Sequence, residues 1–199
     1  MDKKAVKYEH VDVLLVDPSY VMNDGWKDED LSIWSDELAK LTDYYINSHI
    51  ECHCSLLDVK PDCIFVEQAK NKRCGCGHFI VCVDTDGKRF PCQMFAPISM
   101  QPSIFEKVIT VDFNDDSLFY NEKCSKCLLK VSCPACCGNN LIHKGALNAI
   151  DDFYCKAFII QYMHNVAFQM NKAKDIEDVN ERNAILSDLQ IMADSITLN

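Results

Sequence analysis

The apolar positions at the start of the chain change from a strand-like run to helical spacing. Residues 8–17 hold a short apolar run that ends at Pro18, which predicts a buried strand. Residues 28–48 repeat apolar side chains three and four positions apart behind an acidic start, which predicts an amphipathic helix. Residues 52–59 and 64–66 look extended. Strand, helix and strand in this order form the unit of an α/β sheet.

One such unit cannot bury both faces of its sheet, so it needs neighbours from the rest of the chain or from another chain. The alternative interpretation is that this lead segment is a helical cap on whatever follows. Near the other end, residues 156–170 and 176–195 again carry apolar side chains at helical spacing. We expect two helices there whose apolar residues pack into a core rather than line a cofactor site.

The middle of the chain contains a pattern that predicts a β-hairpin. Between residues 79 and 92 an alternating strand, an Asp-Gly turn and a return strand follow one another. A hairpin of this length brings Cys74 or Cys76 back beside Cys92 at its open end. These residues form the first cysteine block, residues 73–92.

Composition singles out cysteine. The chain has 199 residues, a formal net charge of −10 and 13 cysteines, all of them between Cys52 and Cys155. An acidic chain is a poor partner for nucleic acid, and no apolar run approaches the ~20 residues of a membrane span. No secretory signal is visible, so we expect a cytoplasmic protein in which clustered thiolates bind metal rather than form disulfides.

The second cysteine block, residues 124–140, is the stronger metal signal. A C-x2-C pair spaces two thiolates for one centre, and here further cysteines follow within 14 residues of the first. Such a set suits tetrahedral zinc, or an iron–sulfur cube whose fourth ligand comes from a remote cysteine. The candidate ligands are Cys124, Cys127, Cys133, Cys136 and Cys137, with Cys155 as the remote one.

The two blocks together read C-x12-G-x4-C, then C-x2-C-x5-C with a further cysteine, then a distant one, over roughly residues 70 to 170. This order resembles the SPASM domain, the C-terminal extension of radical SAM peptide-modifying enzymes. The pattern is carried by Cys74, Gly87, Cys92, Cys124, Cys127, Cys133, Cys136 or Cys137, and Cys155.

The resemblance implies two [4Fe–4S] clusters with ligands interleaved along the chain. One would be held by Cys124, Cys127, Cys133 and Cys155. The other would be held by Cys74, Cys92 and one of Cys136 and Cys137, with Cys76 or Cys63 as fourth ligand or an open iron site. The alternative interpretation is a zinc-stabilised interaction module with no redox role.

The resemblance also implies a fold and partners. The α+β chain would divide into a lead at 1–69, similar to the last strand–helix–strand of a radical SAM barrel, a SPASM-like domain at 70–170 and a helical tail at 171–199. The C-x3-C-x2-C motif that supports cleavage of S-adenosylmethionine is absent, because Asn140 stands where its third cysteine would be. We therefore expect no catalytic residue here. The partners would be a peptide or protein substrate and a radical SAM core, on another chain or a missing N-terminal domain.

The remaining cysteines and histidines of this region favour structural roles. Cys52 and Cys54 would point into the core from one face of an alternating strand. Cys63 and Cys82 lie in apolar surroundings and favour the core over a metal. The two histidines that flank ligand candidates, His78 and His143, favour the surface or an outer position around a centre.

Overall fold

The computed structural model describes residues 10–11, 26–48, 53–58 and 74–197. The chain divides into two compact units. The first consists of Met1–Asp62 together with Phe153–Asn199, and the second consists of Cys63–Asp152. The predicted boundaries near residues 69 and 170 differ from this division, since residues 153–170 group with the lead segment.

The first unit begins with the predicted strand–helix–strand unit. Strand β1 (His10–Val11) pairs in parallel with strand β2 (His53–Cys54), and helix α1 (Asp30–Ser48) connects them. A parallel pair needs such a crossover, because a tight turn cannot bring the chain back to the same end of the sheet. Both strands are two residues long, and the predicted strand at 64–66 lies outside the described residues.

Two long helices complete the first unit. Helix α5 (Asp152–Ala173) and helix α6 (Val179–Thr197) correspond to the two helices expected from the apolar spacing. The indole Nε1 of Trp34 on α1 donates to the carbonyl of Ala157 on α5 at 3.0 Å. The side-chain amide of Gln169 donates to the carbonyl of Leu57 at 2.8 Å, which gives this backbone oxygen in the turn after β2 a hydrogen-bond partner. Leu38, Cys54, Leu56, Leu57 and Phe168 form the buried centre of these contacts.

The second unit is built around a short antiparallel hairpin. Strand β3 (Cys82–Val83) pairs with strand β4 (Arg89–Phe90), with Cys82 opposite Phe90. In the turn, the Asp84 carboxylate accepts the amide of Lys88 at 2.8 Å, and Gly87 has a φ of +78° that glycine adopts without strain. The predicted hairpin is therefore present, although its ladder is shorter than the alternating pattern indicates.

Short helices follow this hairpin along the chain. They are α2 (Pro102–Phe105), α3 (Glu122–Ser125) and α4 (Cys137–Lys144), with single 3-10 turns at Gln93–Phe95, Glu106–Val108, Asp116–Leu118 and Leu128–Val131. Apolar side chains of α2, of α4 and of the 3-10 turns at Gln93–Phe95 and Glu106–Val108 share one core with three buried cysteines. That core contains Cys76, Phe90, Cys92, Phe95, Ala96, Met100, Phe105, Val108, Phe119, Cys137, Leu141 and Leu147.

The chain is thus a helix-rich α+β protein with small sheets. Within its described part, none of the helices combines the length and the apolar character needed to cross a membrane. The position of the cysteines in the core of the second unit is the feature that bears on function.

Candidate metal centre

Three thiols from distant parts of the chain meet in the core of the second unit. The Cys76 thiol hydrogen-bonds with the thiols of Cys137 and Cys92, and we call these three residues the thiol cluster. All three are almost completely buried, with 4%, 8% and 2% of Cys76, Cys92 and Cys137 exposed. Cys76 comes from the turn before the hairpin, Cys92 from its return side and Cys137 from the first residue of α4.

The hydrogen bond between Cys76 and Cys92 shifts the pKa values of these two thiols in opposite directions. Hydrogen bonding to Cys137 and Cys92, with burial added, raises the pKa of Cys76 far above its usual range, so this thiol stays protonated. The hydrogen bond from Cys76 lowers the pKa of Cys92 to about 7, and the backbone amides of Met94 and Phe95 act in the same direction. Of these two thiols, Cys92 is therefore the one that ionises first.

Cys136 lies beside the cluster and is half-buried. Burial is the main cause that raises its pKa, and the charges of Cys137 and Cys92 raise it further. The backbone amides of Asn139 and Gly138, in the first turn of α4, oppose this rise. A helix N-terminus favours negative charge, so these amides would also favour thiolates here.

The turn that carries Cys76 explains why this cysteine, and not Cys74, faces inward. Gly75 and Gly77 have φ values of +65° and +76°, which reverse the chain on both sides of Cys76. The Gly75 carbonyl accepts the amides of residues 78, 79 and 80 at 2.8 to 3.0 Å, closing the turn. Cys74 precedes this turn and is exposed.

A backbone hydrogen bond holds this turn against the return strand. The amide of Gly77 donates to the carbonyl of Pro91 at 2.9 Å. Gly77 follows Cys76 and Pro91 precedes Cys92, so the bond joins the two chain segments immediately beside the two sulfur atoms. The sequence predicts that Cys74 or Cys76 lies beside Cys92 at the open end of the hairpin, and in the structure Cys76 is the one that does.

The third member of the cluster is held by close helix packing. Cys137 starts α4, whose C-terminal end is closed by Gly145 in a left-handed conformation with a φ of +77°. Gly138 follows Cys137 and lies against the turn after Cys92, where a Cβ atom would come within 2.7 Å of the Met94 Cβ. This close approach brings the start of α4 beside Cys92.

The C-x2-C pair of the second block forms a compact turn. The side-chain oxygen of Asn121 accepts the amide of Cys124 at 2.9 Å and caps α3, and the amide of Cys127 donates to the carbonyl of Cys124 at 3.1 Å. Cys127 then caps the next 3-10 turn, after which the amide of Cys133 donates to the carbonyl of Lys130 at 3.4 Å. All three cysteines are half-buried.

The other predicted ligand, Cys155, lies in the first turns of α5 and belongs to the first unit, where it is half-buried. Cys63, the alternative fourth ligand of the first block, lies outside the described residues, as does Cys52.

The remaining cysteines and histidines are placed as follows. Cys54 is buried in the core of the first unit, while its neighbour His53 is partly exposed and pairs with Asp58 at 2.8 Å. Cys82 is partly buried and packs against the core that contains the thiol cluster. Sequence reasoning places Cys82 in the core, whereas the residue lies partly buried at the edge of that core. His78 and His143 are exposed.

Thiols of this number suit a zinc ion or an iron–sulfur cluster in donor chemistry. In the structure these thiols form no disulfide bonds and hydrogen-bond to one another. Within the described ranges, no three Cys, His, Asp or Glu side chains are arranged so that they could hold a metal ion. Metal binding would therefore require the sulfur atoms to exchange their mutual hydrogen bonds for bonds to metal.

Comparison with protein-family models, curated proteins and solved structures finds no match to this chain.

Proposed function

We propose that this chain is an iron–sulfur protein of SPASM-like organisation that serves a peptide- or protein-modifying system. The observation that supports this most directly is the contact of Cys76, Cys92 and Cys137 in a buried core. Structural thiols are usually scattered singly through a core, whereas three that converge from separate segments are typical of ligands.

For the first centre we propose Cys76, Cys92 and Cys137 as ligands. The resemblance alone leaves Cys74 and Cys76 as alternatives, and burial together with contact favours Cys76. Two residues are suited to complete the set. Cys136 lies within electrostatic reach of Cys92, and Cys82 packs against the same core. An iron site with an open position is the third option.

For the second centre the proposal rests on the resemblance, and the ligands that it assigns within the second unit are Cys124, Cys127 and Cys133. The capped turn at Cys124 and Cys127 supports it, because a fixed backbone lets two cysteines approach one centre without a large entropic cost. When bound, a [4Fe–4S] cluster would accept or pass on one electron.

The parallel β1–α1–β2 unit supports the further likeness to the end of a radical SAM barrel. In such a system the clusters would take up an electron or position the substrate peptide, while a separate radical SAM core cleaves S-adenosylmethionine. We propose that this occurs in the cytoplasm. Because C-x3-C-x2-C is absent, the chain alone should form no 5′-deoxyadenosine.

The second candidate function is a zinc-stabilised interaction module. The compact turn at Cys124 and Cys127 favours it, since such turns present two thiolates to one zinc ion. This reading needs only four cysteines, however, and leaves the buried contact of Cys76 with Cys92 without a role.

The deciding experiment measures iron, acid-labile sulfide and zinc per chain after purification and reconstitution without oxygen. Two four-iron clusters predict about eight irons and eight sulfides per chain. About one zinc with no sulfide would replace the proposal with the zinc module. Protein that retains neither iron nor zinc would overturn both.

A further inference from the structure

We infer that Cys76 and Cys92 form a reversible disulfide when the thiol cluster carries no metal, and that this disulfide blocks loading of the first centre. The second half of this inference rests on the proposed function. The first half concerns only the two thiols and stands on their geometry.

The geometry brings the two sulfur atoms into direct contact. Cys76 hydrogen-bonds with Cys92, and the adjacent residues Gly77 and Pro91 share a backbone hydrogen bond of 2.9 Å. Segments joined by such a bond run about 5 Å apart, and disulfides typically join Cα atoms separated by about 4.4 to 6.8 Å. The two cysteines can therefore be bridged with little movement of the backbone.

Cys137 also contacts Cys76 and is therefore the alternative partner of Cys76 in a disulfide. No comparable backbone hydrogen bond joins the segments of Cys76 and Cys137 among the described contacts. Cys137 lies instead at the first position of α4, whose neighbouring Gly138 is packed tightly against Met94. Pairing with Cys137 would pull on this helix, whereas pairing with Cys92 joins segments that are already bonded.

Exposure indicates which sulfur reacts first. Cys92 is 8% exposed, more than Cys76 at 4% or Cys137 at 2%. A small oxidant such as hydrogen peroxide can reach the cluster through this edge more readily than a bulky disulfide can. Cys92 is therefore the expected entry point.

The oxidation proceeds in two balanced steps. The Cys92 thiol reacts with hydrogen peroxide to give a sulfenic acid and one water. The Cys76 thiol then attacks the sulfenic sulfur, forms the S–S bond and releases a second water. The two thiols lose two electrons to one peroxide. A dithiol such as dithiothreitol returns those electrons and is itself oxidised to a cyclic disulfide.

A disulfide removes two ligands of the proposed first centre at once, because disulfide sulfur does not bind iron or zinc as a thiolate does. Oxidation of the metal-free chain would then prevent loading until a reductant restores the thiols. The second cysteine block would keep its own ligands.

The test treats the metal-free full-length chain with stoichiometric hydrogen peroxide. Intact mass should fall by about 2 Da, the two hydrogens lost to one disulfide, and non-reduced peptide mapping should join Cys76 to Cys92. Cys92→Ser should lose the cross-link. Cys74→Ser is the matched control, since Cys74 lies two residues from Cys76 but is exposed, and it should keep the cross-link.

Anaerobic loading with iron and sulfide then tests regulation. The oxidised chain should take up about four irons and the dithiothreitol-treated chain about eight, as one and two clusters require. A map that joins Cys76 to Cys137, or peroxide that yields only sulfinic acid, overturns the disulfide. Equal loading of oxidised and reduced chains overturns the regulation. A reversible disulfide in a chain that never takes up metal supports the first half and overturns the proposed function.

Discussion

Gly138 lies so close to Met94 that a methyl group on the glycine would come within 2.7 Å of the Met94 Cβ. Two Cβ atoms cannot approach each other this closely, because neither can move without its backbone. A side chain at residue 138 therefore forces α4 away from the turn after Cys92. Overpacking of this kind typically costs about 1–3 kcal/mol. The relationship links a packing detail directly to the thiol cluster, because Cys137 is the neighbouring residue.

Gly138→Ala should therefore loosen the thiol cluster. Displacing the start of α4 separates Cys137 from Cys76 and exposes the thiols, so these cysteines should react faster with an aromatic disulfide reagent. Thiol reactivity is the suitable measurement, because both tryptophans of the chain, Trp26 and Trp34, belong to the first unit. The stability of the second unit should fall by about 1–3 kcal/mol.

Gly87→Asn is the control for this experiment. Gly87 also has a positive φ, but a Cβ at this position meets no atom within 4 Å, and asparagine tolerates the left-handed conformation better than most residues. Its thiol reactivity should stay near that of the wild type. Equal acceleration in both variants would show that the close packing at Met94 is not what shields the cluster.

Cys76→Ser and Cys74→Ser should separate ligand from bystander. If Cys76 binds the first centre, its loss should reduce iron uptake from about eight to about four per chain, whereas Cys74→Ser should retain about eight. The physical reason is that Cys76 is buried in contact with two thiols and Cys74 is exposed. Iron and sulfide analysis after anaerobic reconstitution gives the answer, and a larger loss in Cys74→Ser would reverse the assignment.

Asn121→Ala should weaken the turn that presents Cys124 and Cys127. The mutation removes the oxygen that accepts the Cys124 amide at 2.9 Å, and loss of such a cap costs about 1 kcal/mol. We expect weaker zinc or iron binding at the second block, measured by competition with a coloured chelator. Asn121→Asp keeps an accepting oxygen and should bind nearly as well as the wild type. Identical affinities in all three proteins would contradict a role for the cap.

His164 should make the first unit less stable as the pH falls. Its ring lies 3.2 Å from the Ser35 hydroxyl, and burial lowers the pKa of His164 below the usual 6.5. The folded state thus resists protonation that the unfolded state accepts near pH 6.5, so this contribution to stability is present above that pH. It is lost as the pH falls through the lower pKa of the folded state.

Urea unfolding followed by tryptophan fluorescence at pH 7.5 and pH 5 tests this expectation. The wild-type midpoint should drop more than that of His164→Gln, which cannot gain the charge. The same drop in both proteins would assign the pH dependence to other groups. Both tryptophans report on the unit that contains His164, so the signal is local.

The elements with strong periodicity could be predicted from the sequence. The sequence predicts a helix over residues 28–48, and α1 spans Asp30–Ser48, because apolar spacing and an acidic first turn both favour a helix here. The sequence predicts the hairpin as well, but its alternating pattern indicates a longer ladder than the two residue pairs of β3 and β4. Residues 78–80 bond instead to the Gly75 carbonyl, which draws Phe79 and Ile80 into a turn before β3 begins.

The choice between Cys74 and Cys76 could not be predicted. The two cysteines are separated by one residue, so both fit the same hairpin and the same spacing motif. What distinguishes them is the two glycines with positive φ on either side of Cys76. The direction that these glycines give to the chain cannot be derived from the spacing of the cysteines. The same holds for Cys136 and Cys137, since the start of α4 determines which of them faces the core.

The first unit is made of two stretches of chain that enclose the second unit in the sequence. During synthesis, the cysteine-rich stretch therefore leaves the ribosome before helices α5 and α6 do. Domains generally fold as units while the chain grows. The thiols of Cys76, Cys92 and Cys137 can thus come together on a nascent chain before α5 and α6 have emerged to pack with the β1–α1–β2 segment.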